Sequence, residues 1–197
     1  MQPSQHINLD KARALIVDDN PQSLDILVGV LMSFGLRNVV RKTTAQEAQN
    51  ELKYHQVDLI LTNALLPEMD GYDLIRWLRR ESDEANRMTP AIIVTAHTRR
   101  AHVEKARDCG ANFIVTKPIS PTVMLERILW VAKGDRMFIE CDTYIGPDRR
   151  WRNAGPPVEF PDGRRRDDQS TELSDGSGQN MSQDELDLLI KPQRSLA

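Results

Sequence analysis

Several things are scarce in this chain, and each scarcity excludes a class. Its 197 residues include only two cysteines, Cys109 and Cys141, too few for a disulfide framework and not in a metal-ligand spacing. No apolar run approaches the roughly 20 residues that a membrane helix needs. The segment from Met1 to Asp10 lacks a charged-then-apolar leader pattern, so a cytoplasmic location is expected. Aromatic residues are few, at 5%. Net charge is small, −3 from 26 basic and 29 acidic residues, which argues against a general nucleic-acid binder. What remains is 40% hydrophobic and 28% charged, enough for the packed core of one domain. A mean hydropathy of −0.49 indicates that part of the chain is solvated.

Charge divides the chain. Residues 1–134 carry 17 basic and 16 acidic side chains, whereas 135–197 carry 9 and 13. Six arginines crowd 149–166, and seven acids without a base follow between Asp167 and Asp187. Gly, Pro, Ser, Asp and Gln dominate 146–183, a composition that buries too little surface to offset chain entropy. The expected organisation is a domain over 11–134, an arginine-rich and mostly disordered extension over 135–180, and a short amphipathic helix over 181–191.

Within the first part, short apolar runs alternate with helical periods. Strands are expected at Ala14–Val17, from Val39, at Val57–Leu61, at Ala91–Val94 and at Phe113–Val115. Helices are expected from Pro21 to Gly35, after a Thr44 cap, and over about 71–81, 99–109 and 120–132. Five βα units predict an α/β fold with a doubly wound five-stranded parallel sheet, helices on both faces.

Ligands of such sheets sit at the carboxyl ends of the strands. There the sequence places Asp18 and Asp19, then Asn63, Thr95 and Lys117. Adjacent carboxylates at a buried strand end need a cation, the lysine or water. Four strand ends contributing polar groups argue for a site rather than a structural polar cluster.

LIVDD at 15–19, LPEMDG at 66–71, IVTA at 93–96 and TKP at 116–118 resemble the receiver domain of bacterial two-component response regulators, chemotaxis-regulator-like. The resemblance covers about 11–134 and implies the flavodoxin-like receiver fold. It further implies a divalent metal, possible here as weakly bound Mg²⁺, at Asp18 and Asp19, with Thr95 and Lys117 contacting phosphoryl oxygens. The phosphoacceptor position, four residues before Pro67, holds Asn63 rather than aspartate. An amide oxygen is a poor nucleophile, and the metal site loses one negative charge. Receivers usually carry an aromatic three residues before the lysine, which swings inward on activation; here that switch position is Ile114, and strand alternation points Phe113 the other way.

Beyond 134, Met137–Ile145 alternates as one strand would, one that adds to the domain surface or its sheet edge. Gly146-Pro147-Asp148 and Pro161-Asp162-Gly163 read as turns presenting arginines. Arg149, Arg150, Arg152, Arg164, Arg165 and Arg166 are candidates for an anion, and the stretch is similar to arginine-rich extensions of some proteobacterial single-domain receivers. Near the end, Ser182 and Glu185 form a capping-box pattern, Met181 and Leu186 a hydrophobic staple, and Leu186, Leu189 and Ile190 one apolar face. A helix this short makes most sense on a partner. The string resembles the N-terminal peptide of the flagellar motor switch protein, which binds a phosphorylated chemotaxis receiver.

The expectation is therefore a non-enzymatic signalling protein, a pseudo-receiver acting by protein–protein contact, its terminal helix docking on a receiver or motor. Expected partners are another receiver, a histidine kinase, a flagellar motor component or its own receiver in cis, without DNA or membrane. The alternatives are an ordinary phosphoaccepting regulator carrying an engineered Asp-to-Asn change at 63, or an effector that binds an anionic nucleotide through the arginines.

Overall fold

The computed structural model describes residues 9–82, 84–132, 137–148 and 180–190, with the side chains of Glu84 and 187–190 outside that description. The strands β1 (Arg13–Val17), β2 (Asn38–Lys42), β3 (Leu59–Thr62), β4 (Ala91–Thr95) and β5 (Phe113–Thr116) form one parallel sheet in the order β2-β1-β3-β4-β5. The order reverses between β1 and β3, which places a crevice at their carboxyl ends. The helices between the strands are α1 (Pro21–Ser33), α2 (Ala45–Tyr54), α3 (Gly71–Glu81), the single turn α4 (Glu84–Arg87), α5 (Arg100–Asp108) and α6 (Pro121–Ala132).

Strand alternation builds two cores. Ala14, Ile16, Leu61, Ile92, Val94, Phe113 and Val115 face one way, against Leu24, Leu27 and Leu31 of α1 and Met124 and Ile128 of α6. Leu15, Val17, Ile60, Ile93 and Ile114 face the other way, against α2, α3 and α5. The central strands are buried on both faces, as their continuous apolar runs predict. Side-chain caps mark the starts of α1, α2 and α3: Asn20 accepts from the Gln22 and Ser23 amides ahead of Pro21, Thr44 from Glu47, and Asp70 from Asp73. Strand β3 starts at Leu59 rather than at Val57, because the Val57 amide is taken by the Asn86 side chain at 3.0 Å.

Past α6 the structure departs from the sequence reading. Residues 137–145 do not make one strand. β6 (Phe138–Cys141) and β7 (Tyr144–Pro147) pair antiparallel around Asp142-Thr143, so Gly146 and Pro147 lie in a strand rather than in a turn. The hairpin packs on the domain surface, as the strand pattern allowed, although its residues fall in the extension expected from 135. A Cβ on Gly146 would lie 2.7 Å from the Gly110 Cα, and one on Gly110 would lie 2.6 Å from the Ile145 carbonyl oxygen. The close approach therefore needs both glycines. Beside it the buried Arg79 donates to the carbonyls of Gly110, Arg87 and Thr89, and its guanidinium lies 5.3 Å from the Phe138 ring centroid. Burial pulls its pKa down to about 10, which still leaves it charged at neutral pH. The last described element is α7 (Gln183–Ile190). No described helix is long and apolar enough to cross a membrane.

Candidate functional site

Directly after β1 comes Asp18, wholly buried, whose amide continues the ladder to the Lys42 carbonyl at 3.1 Å. Its carboxylate is fully engaged from within the chain. Oδ1 accepts from the Asn20 amide at 3.1 Å; Oδ2 accepts from Ser23 Oγ at 2.6 Å and from Lys117 Nζ at 2.6 Å. Lys117 follows β5, before a cis Lys117-Pro118 bond. Buried Asp18 thus has its counter-ion and two further donors, which is how a carboxylate survives removal from water.

Asp19 is exposed, and its partner is Asn63. Asn63 leaves β3 with its amide bonded to the Val17 carbonyl at 2.8 Å. Its side-chain nitrogen donates to Asp19 Oδ1 at 3.1 Å and to the Leu65 carbonyl at 2.8 Å. An aspartate at 63 would make neither bond and would set a third carboxylate beside Asp18 and Asp19. The loop that follows is tightly held. Glu68 sits at φ 67°, in the left-handed region. A Cβ on Gly71 would lie 2.0 Å from the Asn63 carbonyl oxygen, so only glycine lets α3 start this close to the site.

The site residues read from the sequence are not all joined in the same way. Side-chain bonds join two separate pairs, Asp18 with Lys117 and Asp19 with Asn63. Thr95 ends β4 almost fully buried, but its hydroxyl accepts from the His97 amide within its own loop at 3.0 Å. It reaches Lys117 only through the backbone, the Lys117 amide donating to the Thr95 carbonyl at 2.9 Å. Ile114 points into the core shared with α5, while Phe113 faces the opposite core, edge-on to Trp130 at 4.9 Å. Sequence reasoning missed Ser23 and Asn20. An asparagine cap directly after an acid pair, with a serine in the next turn, was the available signal. The six candidate arginines, 149, 150, 152 and 164–166, lie outside the described residues.

Two carboxylates and a neutral carboxamide oxygen form a poor cage for a hard divalent ion, one charge short of three acids. No cluster of three or more His, Cys, Asp or Glu able to hold a metal occurs among the described residues. The terminal helix matches its sequence pattern where it is described. Ser182 and Glu185 close the capping box, the Ser182 amide donating to Glu185 Oε2 at 2.7 Å and the Glu185 amide to Ser182 Oγ at 3.3 Å. Met181 and the buried Leu186 join one apolar cluster. The side chains of Leu189 and Ile190 are outside the description.

The comparisons agree with this geometry. The profile of the response regulator receiver domain matches residues 14–129. The transcriptional regulatory protein YvrH of Bacillus subtilis is 31% identical over 61% of this chain, which spans about half of that relative's length, 48%. The polar-differentiation response regulator DivK of Brucella ovis is 32% identical over 58% of this chain and 90% of its own. Among solved structures, the receiver domain of a sensor histidine kinase of Pseudomonas aeruginosa is 30% identical, with a TM-score of 0.56, covering 63% of this chain and 98% of that one. That structure holds a magnesium ion in its active-site cleft.

Proposed function

Because the chain belongs to the response regulator receiver family, we propose that it is a pseudo-receiver, a non-enzymatic signalling protein that works through protein–protein contacts and not through an acyl phosphate. The observation that carries this reading is Asn63. The amide stands where the family resemblance requires a carboxylate nucleophile, and it donates to Asp19 and to the Leu65 carbonyl. A carboxylate attacks phosphorus through an anionic oxygen, which an amide lacks. Lys117 and Ser23 meanwhile satisfy Asp18 without an external cation, so Mg²⁺ binds weakly. When bound it would be held by Asp18 and Asp19, and it would supply only charge neutralisation. The terminal helix α7 is the docking peptide, addressed to a receiver surface and its relatives in two-component signalling.

Phosphotransfer tests the reading. The full chain, incubated with Mg²⁺ and a radiolabelled small phosphodonor or histidine kinase, should take up no base-labile label. Stoichiometric acyl phosphate would overturn it.

A further inference from the structure

β5 is the last strand of the sheet, so one side of its backbone has no neighbouring strand. An edge of this kind is a ready template for pairing. Two backbone groups on that side are Ile114 C=O and Thr116 N–H, spaced by two residues as strand geometry requires. Both are met by one side chain. Gln183 Oε1 accepts from the Thr116 amide at 2.9 Å, and its Nε2 donates to the Ile114 carbonyl at 3.3 Å. The carboxamide of Gln183 does what one residue of a sixth strand would do.

A second anchor lies on the loop after β4. The buried Thr98 donates its amide to Asn180 Oδ1 at 3.3 Å and its hydroxyl to the Met181 carbonyl at 2.6 Å, and its own carbonyl accepts the Met181 amide at 3.1 Å. The third anchor is apolar: Leu186 has no exposed surface and shares a cluster with Ile114, Val103 and Ala106. Charge is complementary too. Residues 180–190 carry three acids and no base, while 99–107 carry Arg99, Arg100, Lys105 and Arg107 against Glu104.

We propose that the groove between α5 and β5 is a peptide-recognition site whose resident occupant is the chain's own segment 180–190, acting as a removable latch. The proposal rests on the reading of α7 as a docking peptide and names its address. Residues 149–179 tether the segment, and a tether of that order presents a ligand at an effective concentration on the order of millimolar. A weak peptide therefore keeps the groove filled, and a stronger partner displaces it. The latch holds Thr98, three residues beyond Thr95, and Thr116, next to Lys117. It thereby grips two of the four strand ends that carry site residues, those of β4 and β5.

The test uses the full chain, read by residue-resolved amide hydrogen exchange, with a fluorescent peptide of residues 178–197 as probe. The wild type should protect the amides of Thr98, Thr116, Met181 and Leu186. Leu186→Asp should accelerate all four by about tenfold or more while amides of β1, β3 and β4 stay slow. Gln183→Ala should accelerate Thr116 most. The added peptide should bind the Leu186→Asp chain at least about tenfold tighter than the wild type, whose groove is filled, and lose affinity as salt rises. Free exchange of 180–186 in the wild type would overturn the proposal. Equal peptide binding by both chains, or binding by neither, would overturn it as well. A peptide that fails here but binds another receiver would retain the docking reading and remove only the cis occupant.

Discussion

The pocket at the strand ends and the groove at the sheet edge are both closed from within, by opposite means. In the pocket, closure is electrostatic and built into the domain: Lys117 neutralises Asp18, and Asn63 caps Asp19. At the edge, closure comes from a segment whose Gln183 lies 67 residues downstream of its backbone partner Thr116, mainly through neutral hydrogen bonds and one leucine. Charges that are neutralised locally have little to gain from a ligand. A groove filled by a tethered peptide can be reopened by competition. On the proposed reading, responsiveness lies at the edge rather than in the pocket.

Breaking the pocket should have the largest effect on stability. Gly71→Ala drives a methyl group into the Asn63 carbonyl and should cost about 3 kcal/mol, measured by denaturant unfolding, with the pocket displaced. Lys117→Met leaves the buried Asp18 charge with only neutral donors. Lys117 is partly exposed, 24%, so the loss should be about 2 kcal/mol rather than the full cost of a broken buried pair.

Asn63→Asp sharpens the contrast by changing chemistry instead of packing. The two amide bonds are lost and a third carboxylate is added. Stability without metal should fall by roughly 1 kcal/mol. Mg²⁺ affinity, measured by calorimetry, should rise about tenfold or more, since a unit charge a few ångströms from a divalent ion is worth several kcal/mol before desolvation. This variant should also accept label from a phosphodonor.

The smallest effect is expected from acid at the latch. The Ser182 amide and hydroxyl hold the Glu185 carboxyl below its ordinary 4.5. A lowered folded-state pKa contributes stability above the ordinary value that is lost as pH falls through the folded one. The capping box should therefore hold above pH 4.5 and loosen below it, seen as faster Leu186 amide exchange. Glu51 shifts the same way in the body of the domain: burial works to raise it, but the Lys42 hydrogen bond and the Lys42, His55 and Arg13 charges outweigh that. Exchange at α2 controls for general acid softening.

The sequence made the sheet legible because buried parallel strands are short apolar runs with polar ends, and Asp18, Asn63, Thr95 and Lys117 stand at those ends. The helix α3 falls on its expected span, 71–81, since its period and its Asp70 cap agree. The hairpin was not legible. Alternation continues across Asp142-Thr143, so two strands look like one, and Gly146-Pro147-Asp148 has turn composition although Gly146 is there for contact with Gly110. Ser23 and Gln183 were missed because each matters through one long-range bond, which leaves no periodic trace. The capping box and staple of α7 could be read; the surface that it covers could not.

The central claim is that the edge groove, and not phosphorylation of the pocket, sets the state of this protein. Its most direct test is amide exchange at Thr98 and Thr116 of the wild-type full chain, with and without Mg²⁺ and a small phosphodonor. The account predicts unchanged rates at both amides. Accelerated exchange accompanied by a covalent acyl phosphate would contradict it.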